Sequence, residues 1–217
     1  MTEVKICGLN DAAGLEAAWR AGADYVGFVF IPASPRAVTP AAAAALSAAL
    51  PSRAAGGPSR VGLFLDPADA EVAAVLAALP LDFLQLHGEE TPERCAALRA
   101  RFGIPVMKAL GVATAADLLL LEAYAPAVDR FLLDAKPPPG AALPGGNALR
   151  FDWALLAGHA VPRPWLLAGG LTPDNVAEAL GRSGAPGVDV SSGVERARGV
   201  KDPGRIAAFV AAARRPA

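Results

Sequence analysis

Short apolar runs recur along the chain, separated by longer stretches in which Ala, Leu and Glu repeat with helical spacing. The runs Val4–Gly8, Tyr25–Phe30, Val61–Leu65, Phe83–Leu86, Val106–Leu110, Phe131–Asp134, Trp165–Gly169 and Val188–Ser191 have the length and composition of buried strands. Between and after them lie Asp11–Ala21, Pro40–Leu50, Pro67–Leu79, Pro92–Phe102, Ala115–Ala125, Asp152–Gly158, Pro173–Leu180 and Pro203–Arg214, which read as helices with one buried face. Five of these are expected to open with a capping residue followed by proline: Thr39-Pro40, Asp66-Pro67, Thr91-Pro92, Thr172-Pro173 and Asp202-Pro203. Such a pair supplies a side-chain acceptor and a preset φ. Strands separated by helices pair in parallel through right-handed crossovers, so eight strand–helix units either close into a barrel or form an open sheet. An open sheet normally carries Gly-x-Gly-x-x-Gly after its first strand, and Cys7-Gly8-Leu9-Asn10-Asp11 lacks it. The expected fold is therefore α/β, a single-domain (β/α)8 TIM barrel spanning residues 1–217.

Composition narrows the partners. With 217 residues, 53% of them hydrophobic, the chain has the length of a compact eightfold barrel without insertions. Its formal charge of -1 and its scattered charges form no basic stripe or polybasic patch, which argues against nucleic acid and membrane surfaces and for a small molecule. Cys7 and Cys95 are the only cysteines, and Met1-Thr-Glu-Val-Lys leads straight into a strand, so a reducing cytoplasmic location is expected. No apolar stretch reaches the length of a membrane span without interruption.

Near the C-terminus, Trp165-Leu-Leu-Ala-Gly-Gly170 and Gly187-Val-Asp-Val-Ser-Ser-Gly193 each end in small residues. Glycines there let backbone N–H groups approach an anion, and the last two strands of an eightfold barrel are where such barrels hold phosphate. Two long connections, Ile31–Val38 and Ala135–Arg150, fall on the same face and are expected to act as binding loops or lids.

The strand ends gather a short list of chemical groups: Lys5 and Cys7 from the first, Arg36 from the loop after the second, Gln85 and His87 from the fourth, Asp134 from the sixth, and Asp189, Ser191 and Ser192 from the eighth. No cluster has metal-ligand spacing, so no metal is expected, and no serine-nucleophile elbow occurs. A thiol, a carboxyl group, a guanidinium and a phosphate cradle suit proton transfer on a phosphorylated substrate that also bears a carboxylate. Lys5 would favour a Cys7 thiolate. Asp134 ends an apolar run where an acid is costly unless paired or functional. Arg36, in the stiffened Ser34-Pro35-Arg36, can fork onto a carboxylate. Asp189, too negative to sit beside phosphate as a ligand, is read as orienting donors. His87 is read as structural and Cys95 as packing.

Taken in order, Lys5-Ile-Cys-Gly8, Gly27-Phe-Val-Phe30, Ser34-Pro-Arg36, Val61-Gly-Leu-Phe64, Leu84-Gln-Leu-His-Gly-Glu89, Leu132-Leu-Asp134, Phe151-Asp-Trp153, Leu167-Ala-Gly-Gly-Leu-Thr-Pro-Asp-Asn-Val176 and Gly187-Val-Asp-Val-Ser-Ser-Gly-Val-Glu195 resemble the phosphoribosylanthranilate isomerases of tryptophan biosynthesis. The resemblance covers nearly the whole chain. It implies an eightfold barrel performing an Amadori rearrangement, with Cys7 as general base, Asp134 as general acid and no cofactor. It further implies that Arg36 holds the anthranilate carboxylate, while Gly169, Gly170, Ser192 and Gly193 hold the phosphate. The family's loop after the sixth strand usually runs Gly-Gly-(Ser/Thr)-Gly, whereas this chain reads Gly145-Gly146-Asn147-Ala148-Leu149-Arg150, and Ala148 has less backbone freedom than glycine.

Two rival readings remain at the level of sequence. A ketose/aldose isomerase of the histidine pathway would need aspartates on strands one and five, where this chain has Cys7 and the Lys108-Ala-Leu110 end. A non-catalytic phosphate-binding barrel would not need both Cys7 and Asp134. Monomer and homodimer are both compatible with the periodicity.

Overall fold

The computed structural model describes residues 1–136 and 151–215. The Ala135–Arg150 connection, with its unusual 145–150 stretch, lies outside the described residues beyond Lys136. Eight strands, β1 (Glu3–Cys7), β2 (Tyr25–Val29), β3 (Ser59–Phe64), β4 (Phe83–Leu86), β5 (Val106–Val112), β6 (Arg130–Ala135), β7 (Trp165–Leu167) and β8 (Gly187–Val190), close into a barrel. Each pairs in parallel with its neighbours, and β1 meets β8 with Lys5 opposite Asp189. Outside run α1 (Ala12–Arg20), α2 (Pro40–Ser47), α3 (Asp69–Ala78), α4 (Pro92–Phe102), α5 (Leu120–Tyr124), α6 (Val176–Ser183) and α7 (Pro203–Ala213). Among the described residues no helix is long and apolar enough to cross a membrane.

Strand alternation divides the core. Met107 and Ala109 join Leu132, Leu166 and Ala168 inside the barrel, while Val106, Leu110, Phe131 and Leu133 join the larger cluster under the helices. Each fully buried aliphatic or aromatic side chain there stabilises the fold by about 1.5–3 kcal/mol relative to leaving it exposed. The N-terminal end of the barrel is shut by an ion pair between Arg130 and Glu3, with Arg130 also 5.2 Å over the Tyr25 ring. Burial there pushes the Tyr25 hydroxyl up to about 12. The opposite, C-terminal mouth is where eightfold barrels place their chemistry.

A second buried pair shapes that mouth from outside the barrel. Lys108 Nζ donates to Glu90 Oε2 at 2.7 Å and to the Gly88 carbonyl at 2.6 Å, and Glu90 accepts the Gly88 N–H at 3.0 Å. The short loop after β4, which begins with His87, is thus tied to β5. Cys95 on α4 is fully buried, and burial pushes its thiol up to about 11.

Three of the five expected helix starts are found, at Thr39, Thr91 and Asp202, each accepting a backbone N–H of the first turn. The other two are corrected. Asp66 sits before α3 with φ 45°, its carboxylate accepting the Glu89 N–H at 2.8 Å. Pro173 precedes a turn, and α6 begins at Val176: Asn175 Oδ1 takes the Thr172 N–H at 2.8 Å while Asn175 Nδ2 donates to the Gly170 carbonyl at 3.0 Å. Two expected helices are largely 3-10 turns, Ala115–Leu119 ahead of α5 and Trp153–Leu156. In the first, Asp117 Oδ2 gathers the N–H groups of Ala113 and Thr114 at 3.0 and 2.8 Å, which favours the tighter turn. An antiparallel hairpin, β9 (Glu195–Ala197) and β10 (Val200–Lys201), follows β8 and was not expected.

Candidate active site

Cys7 ends β1 opposite Gly27 of β2. A Cβ on Gly27 would lie 3.0 Å from Cys7 Sγ and 3.3 Å from Lys5 Nζ, so the absent side chain is what makes room for thiol and ammonium side by side. Lys5 is fully buried, and its Nζ donates to Asp189 Oδ1 at 2.8 Å. Burial pulls the Lys5 ammonium down, but the Asp189 carboxylate and Cys7 together hold it above its ordinary value. For Cys7, burial is the largest influence and pushes the thiol up; Asp189 adds to the rise, while Lys5 and Lys201 pull the other way. The net direction is opposite to the lowering that Lys5 was expected to produce, because desolvation of a thiolate outweighs two partly engaged cations.

Asp134 lies at the end of β6, its Oδ1 accepting the Ala135 N–H at 2.7 Å. His87 Nε2 is 3.5 Å from Asp134 Oδ2, and His87 Nδ1 is 3.2 Å from Gln85 Nε2. With the Gln85 amide in this orientation Nε2 donates, Nδ1 accepts and the ring hydrogen stands on Nε2, facing Asp134; the flipped amide would place it on Nδ1. His87, read from sequence as structural, is therefore at the carboxyl group. Gly169 has φ 89°, and a Cβ there would lie 2.7 Å from the Ala135 nitrogen and 3.1 Å from Asp134 Oδ1.

Arg36 is buried, and its guanidinium is already forked: Nε donates to Glu195 Oε1 at 2.6 Å and NH2 to Glu195 Oε2 at 3.0 Å. Gly8, at φ 73°, lets it pass, since a Cβ there would lie 2.5 Å from Arg36 Cδ. Glu195 also accepts from Lys201 Nζ at 2.9 Å and from the Gly199 N–H at 3.0 Å. Lys201 continues to the Ser191 carbonyl at 2.9 Å, and Ser191 Oγ donates to the Cys7 carbonyl at 3.1 Å. Burial pushes the Glu195 carboxyl up, but Arg36 and Lys201 hold it below its ordinary value. Neither Glu195 nor Lys201 was singled out from the sequence as a site residue. The available signal was an acid immediately after the Ser-Ser-Gly-Val end of an apolar run, and a lysine directly before Asp202-Pro203.

The two glycine-rich ends pack against each other: a Cβ on Gly193 would lie 1.8 Å from the Leu171 carbonyl oxygen. Gly169 and Gly170 both have positive φ, and their N–H groups have no backbone or side-chain acceptor among the described residues. Ser192 and Gly193 open a one-turn 3-10 helix, Ser192–Val194, whose leading N–H groups have no partner within the turn. All four residues are half-buried.

Fold and mouth together define a (β/α)8 barrel with a thiol at the end of β1, a carboxyl group at the end of β6, and the glycine-rich ends of β7 and β8 between them in strand order. The family model described as N-(5'phosphoribosyl)anthranilate (PRA) isomerase matches residues 4–212. The N-(5'-phosphoribosyl)anthranilate isomerase of Paracoccus denitrificans is 61% identical over 213 residues, covering 98% of this chain and 97% of that protein. The protein of the same description from Rhodospirillum rubrum is 57% identical over 213 residues, covering 98% of each. The crystal structure of the Thermotoga maritima phosphoribosyl anthranilate isomerase superposes with a TM-score of 0.86 at 37% identity, covering 98% of both chains. A phosphoribosyl anthranilate isomerase in complex with reduced 1-(o-carboxyphenylamino)-1-deoxyribulose 5-phosphate does so with a TM-score of 0.84 at 35% identity and the same coverage. The chain belongs to the N-(5'-phosphoribosyl)anthranilate isomerase family.

Proposed function

We propose that this chain, acting in tryptophan biosynthesis, converts N-(5'-phosphoribosyl)anthranilate to 1-(2-carboxyphenylamino)-1-deoxy-D-ribulose 5-phosphate with Cys7 as general base and Asp134 as general acid. The observation that carries this reading is strand order. Around the barrel β6, β7, β8 and β1 are consecutive, so the cradle on β7 and β8 is flanked by the acid's strand on one side and the base's strand on the other. A sugar phosphate anchored between them would present its reacting carbons to both groups.

The proton inventory then closes. Asp134 gives its proton to the ribose ring oxygen as the bond from that oxygen to C1' breaks, and the nitrogen lone pair forms the protonated Schiff base. The Cys7 thiolate takes the C2' proton, and the freed electron pair moves toward nitrogen to give the enol, which tautomerises to the ketone at C2'. The substrate's formula is unchanged. Asp134 is left ionised and Cys7 protonated, and exchange with solvent resets both. Arg36 meets the anthranilate carboxylate, and the N–H groups of Gly169, Gly170, Ser192 and Gly193 meet the phosphate. Asp189 orients the Lys5 ammonium beside the thiol. The histidine-pathway alternative finds no support at strand five, whose Lys108 pairs with Glu90 on the outer side of the barrel.

The test is a fluorescence assay with freshly generated N-(5'-phosphoribosyl)anthranilate. Cys7→Ala and Asp134→Asn are each expected to lower turnover by roughly 10^2- to 10^4-fold while circular dichroism stays that of the parent. Near-normal turnover in either folded variant overturns the role of that residue.

A further inference from the structure

Resting on the reading above that Arg36 meets the substrate's aromatic carboxylate, we infer that Glu195 is the positioning residue that sets this specificity, by holding one edge of Arg36 so that the other is offered to the carboxylate. A guanidinium has five N–H donors in a fixed plane, and Glu195 engages the Nε and NH2 edge at 2.6 and 3.0 Å. The NH1–NH2 edge remains, and it is the one other edge that can fork onto a second carboxylate. NH1 has no hydrogen-bond partner among the described residues.

Glu195 is itself immobilised. Its carboxylate accepts four hydrogen bonds, two from Arg36, one from Lys201 Nζ and one from the Gly199 N–H. Gly199 is the turn of the β9–β10 hairpin, with φ 80°, and lies so close to the Arg36 loop that a Cβ would be 2.5 Å from the Pro35 carbonyl oxygen. The hairpin thus docks on the loop that carries Arg36, and Glu195 is the polar contact between them. Arg36, Glu195 and Lys201 are all buried. A substrate without the aromatic carboxylate leaves the free edge of the guanidinium unanswered in a desolvated site, which costs it affinity.

The experiment compares two substrates formed in situ from ribose 5-phosphate, one with anthranilate and one with aniline, their rearranged products measured by chromatography. The parent is expected to prefer the anthranilate adduct through KM. Glu195→Gln is nearly isosteric but holds Arg36 without charge. It is expected to raise KM for the anthranilate adduct by roughly tenfold or more, leave kcat within about threefold, and leave the aniline adduct nearly unaffected. Glu195→Asp, which keeps the charge but withdraws it by one methylene, is expected to lose discrimination in the same direction. Competitive inhibition by inorganic phosphate reports the cradle and should not change in either variant. Unchanged discrimination in whichever of the two variants folds overturns the inference. Arg36→Met separates the two levels: if it leaves discrimination intact, the role given to Arg36 fails. If it abolishes discrimination while the Glu195 variants retain it, only the inference about Glu195 fails.

Discussion

Lys5 Nζ donates to Asp189 Oδ1 across 2.8 Å at the seam where β1 closes onto β8, with both side chains buried. The pair sits beside the thiol and spans 184 residues of chain, so it joins the ends of the fold and the start of the chemistry. Removing one partner leaves the other charged and desolvated. Lys5→Met is therefore expected to destabilise by about 3–5 kcal/mol, and Lys5→Met with Asp189→Leu to recover much of that. Urea denaturation midpoints check this. A Lys5→Met variant within about 1 kcal/mol of the parent would mean that the pair is solvated in solution.

The direction of the Cys7 shift sets a pH dependence. A base must be ionised, and burial holds this thiol above its ordinary value. Below that pKa the thiol is protonated and inactive, so each unit of falling pH removes a further tenfold of active enzyme. Log kcat/KM is expected to rise with slope near one between about pH 7 and pH 8.5 and to level off only above the ordinary thiol value near 8.5. Because Lys5 opposes the burial effect, Lys5→Met should move the rising limb to higher pH. A profile already flat at pH 7 would show that another group, or a thiol lowered on substrate binding, governs the step.

The barrel was legible because short continuous apolar runs and helical spacing are local properties, and each strand candidate overlaps an observed strand. The placement of Cys7, Asp134 and the glycine ends at the ends of strands was legible for the same reason: they sit at run boundaries. What escaped was non-local. Glu195 meets Arg36 across 159 residues, and a hairpin whose second strand is two residues long has no periodicity to detect. Thr172-Pro173 and Asp66-Pro67 have the right cap chemistry, but the Asp66 carboxylate is taken by the Glu89 N–H, and Asn175 Oδ1 accepts the Thr172 N–H in a turn that delays α6 to Val176. The place of His87 beside Asp134 was not legible, because only barrel closure brings the ends of β4 and β6 to one mouth.

Gly193 offers the sharpest test of the cradle. An alanine Cβ would fall 1.8 Å from a backbone oxygen of Leu171, and no rotamer relieves a clash between main chain and Cβ. The two glycine ends must separate, which moves the donors of both. Gly193→Ala is expected to raise KM and the inhibition constant for inorganic phosphate together, by about tenfold or more, with a stability loss of about 1–3 kcal/mol. Steady-state kinetics with phosphate as inhibitor checks it. Altered KM with an unchanged phosphate constant would place the anion elsewhere.

Gln85 is fully buried, yet its Oε1 has no hydrogen-bond partner among the described residues, and its Nε2 is directed at His87 Nδ1. A buried amide oxygen without a partner costs stability, about 1–3 kcal/mol, so the residue's value lies in what the other half of the amide does. In this amide orientation donation to Nδ1 leaves the imidazole hydrogen on Nε2, which faces Asp134 Oδ2 at 3.5 Å, a separation that a small closure converts to a hydrogen bond. Such a bond strengthens when Asp134 has surrendered its proton and become anionic, so it acts late in the step and on kcat. His87→Ala is expected to lower kcat by about 10- to 100-fold with KM within about threefold. Gln85→Leu is expected to lower kcat less, because His87 stays but its tautomer is no longer fixed, while thermal stability holds or rises as the unpartnered oxygen is removed. Parallel melting and steady-state measurements separate the two effects. A Gln85→Leu variant that loses stability but keeps full kcat would assign the Gln85–His87 contact to packing alone.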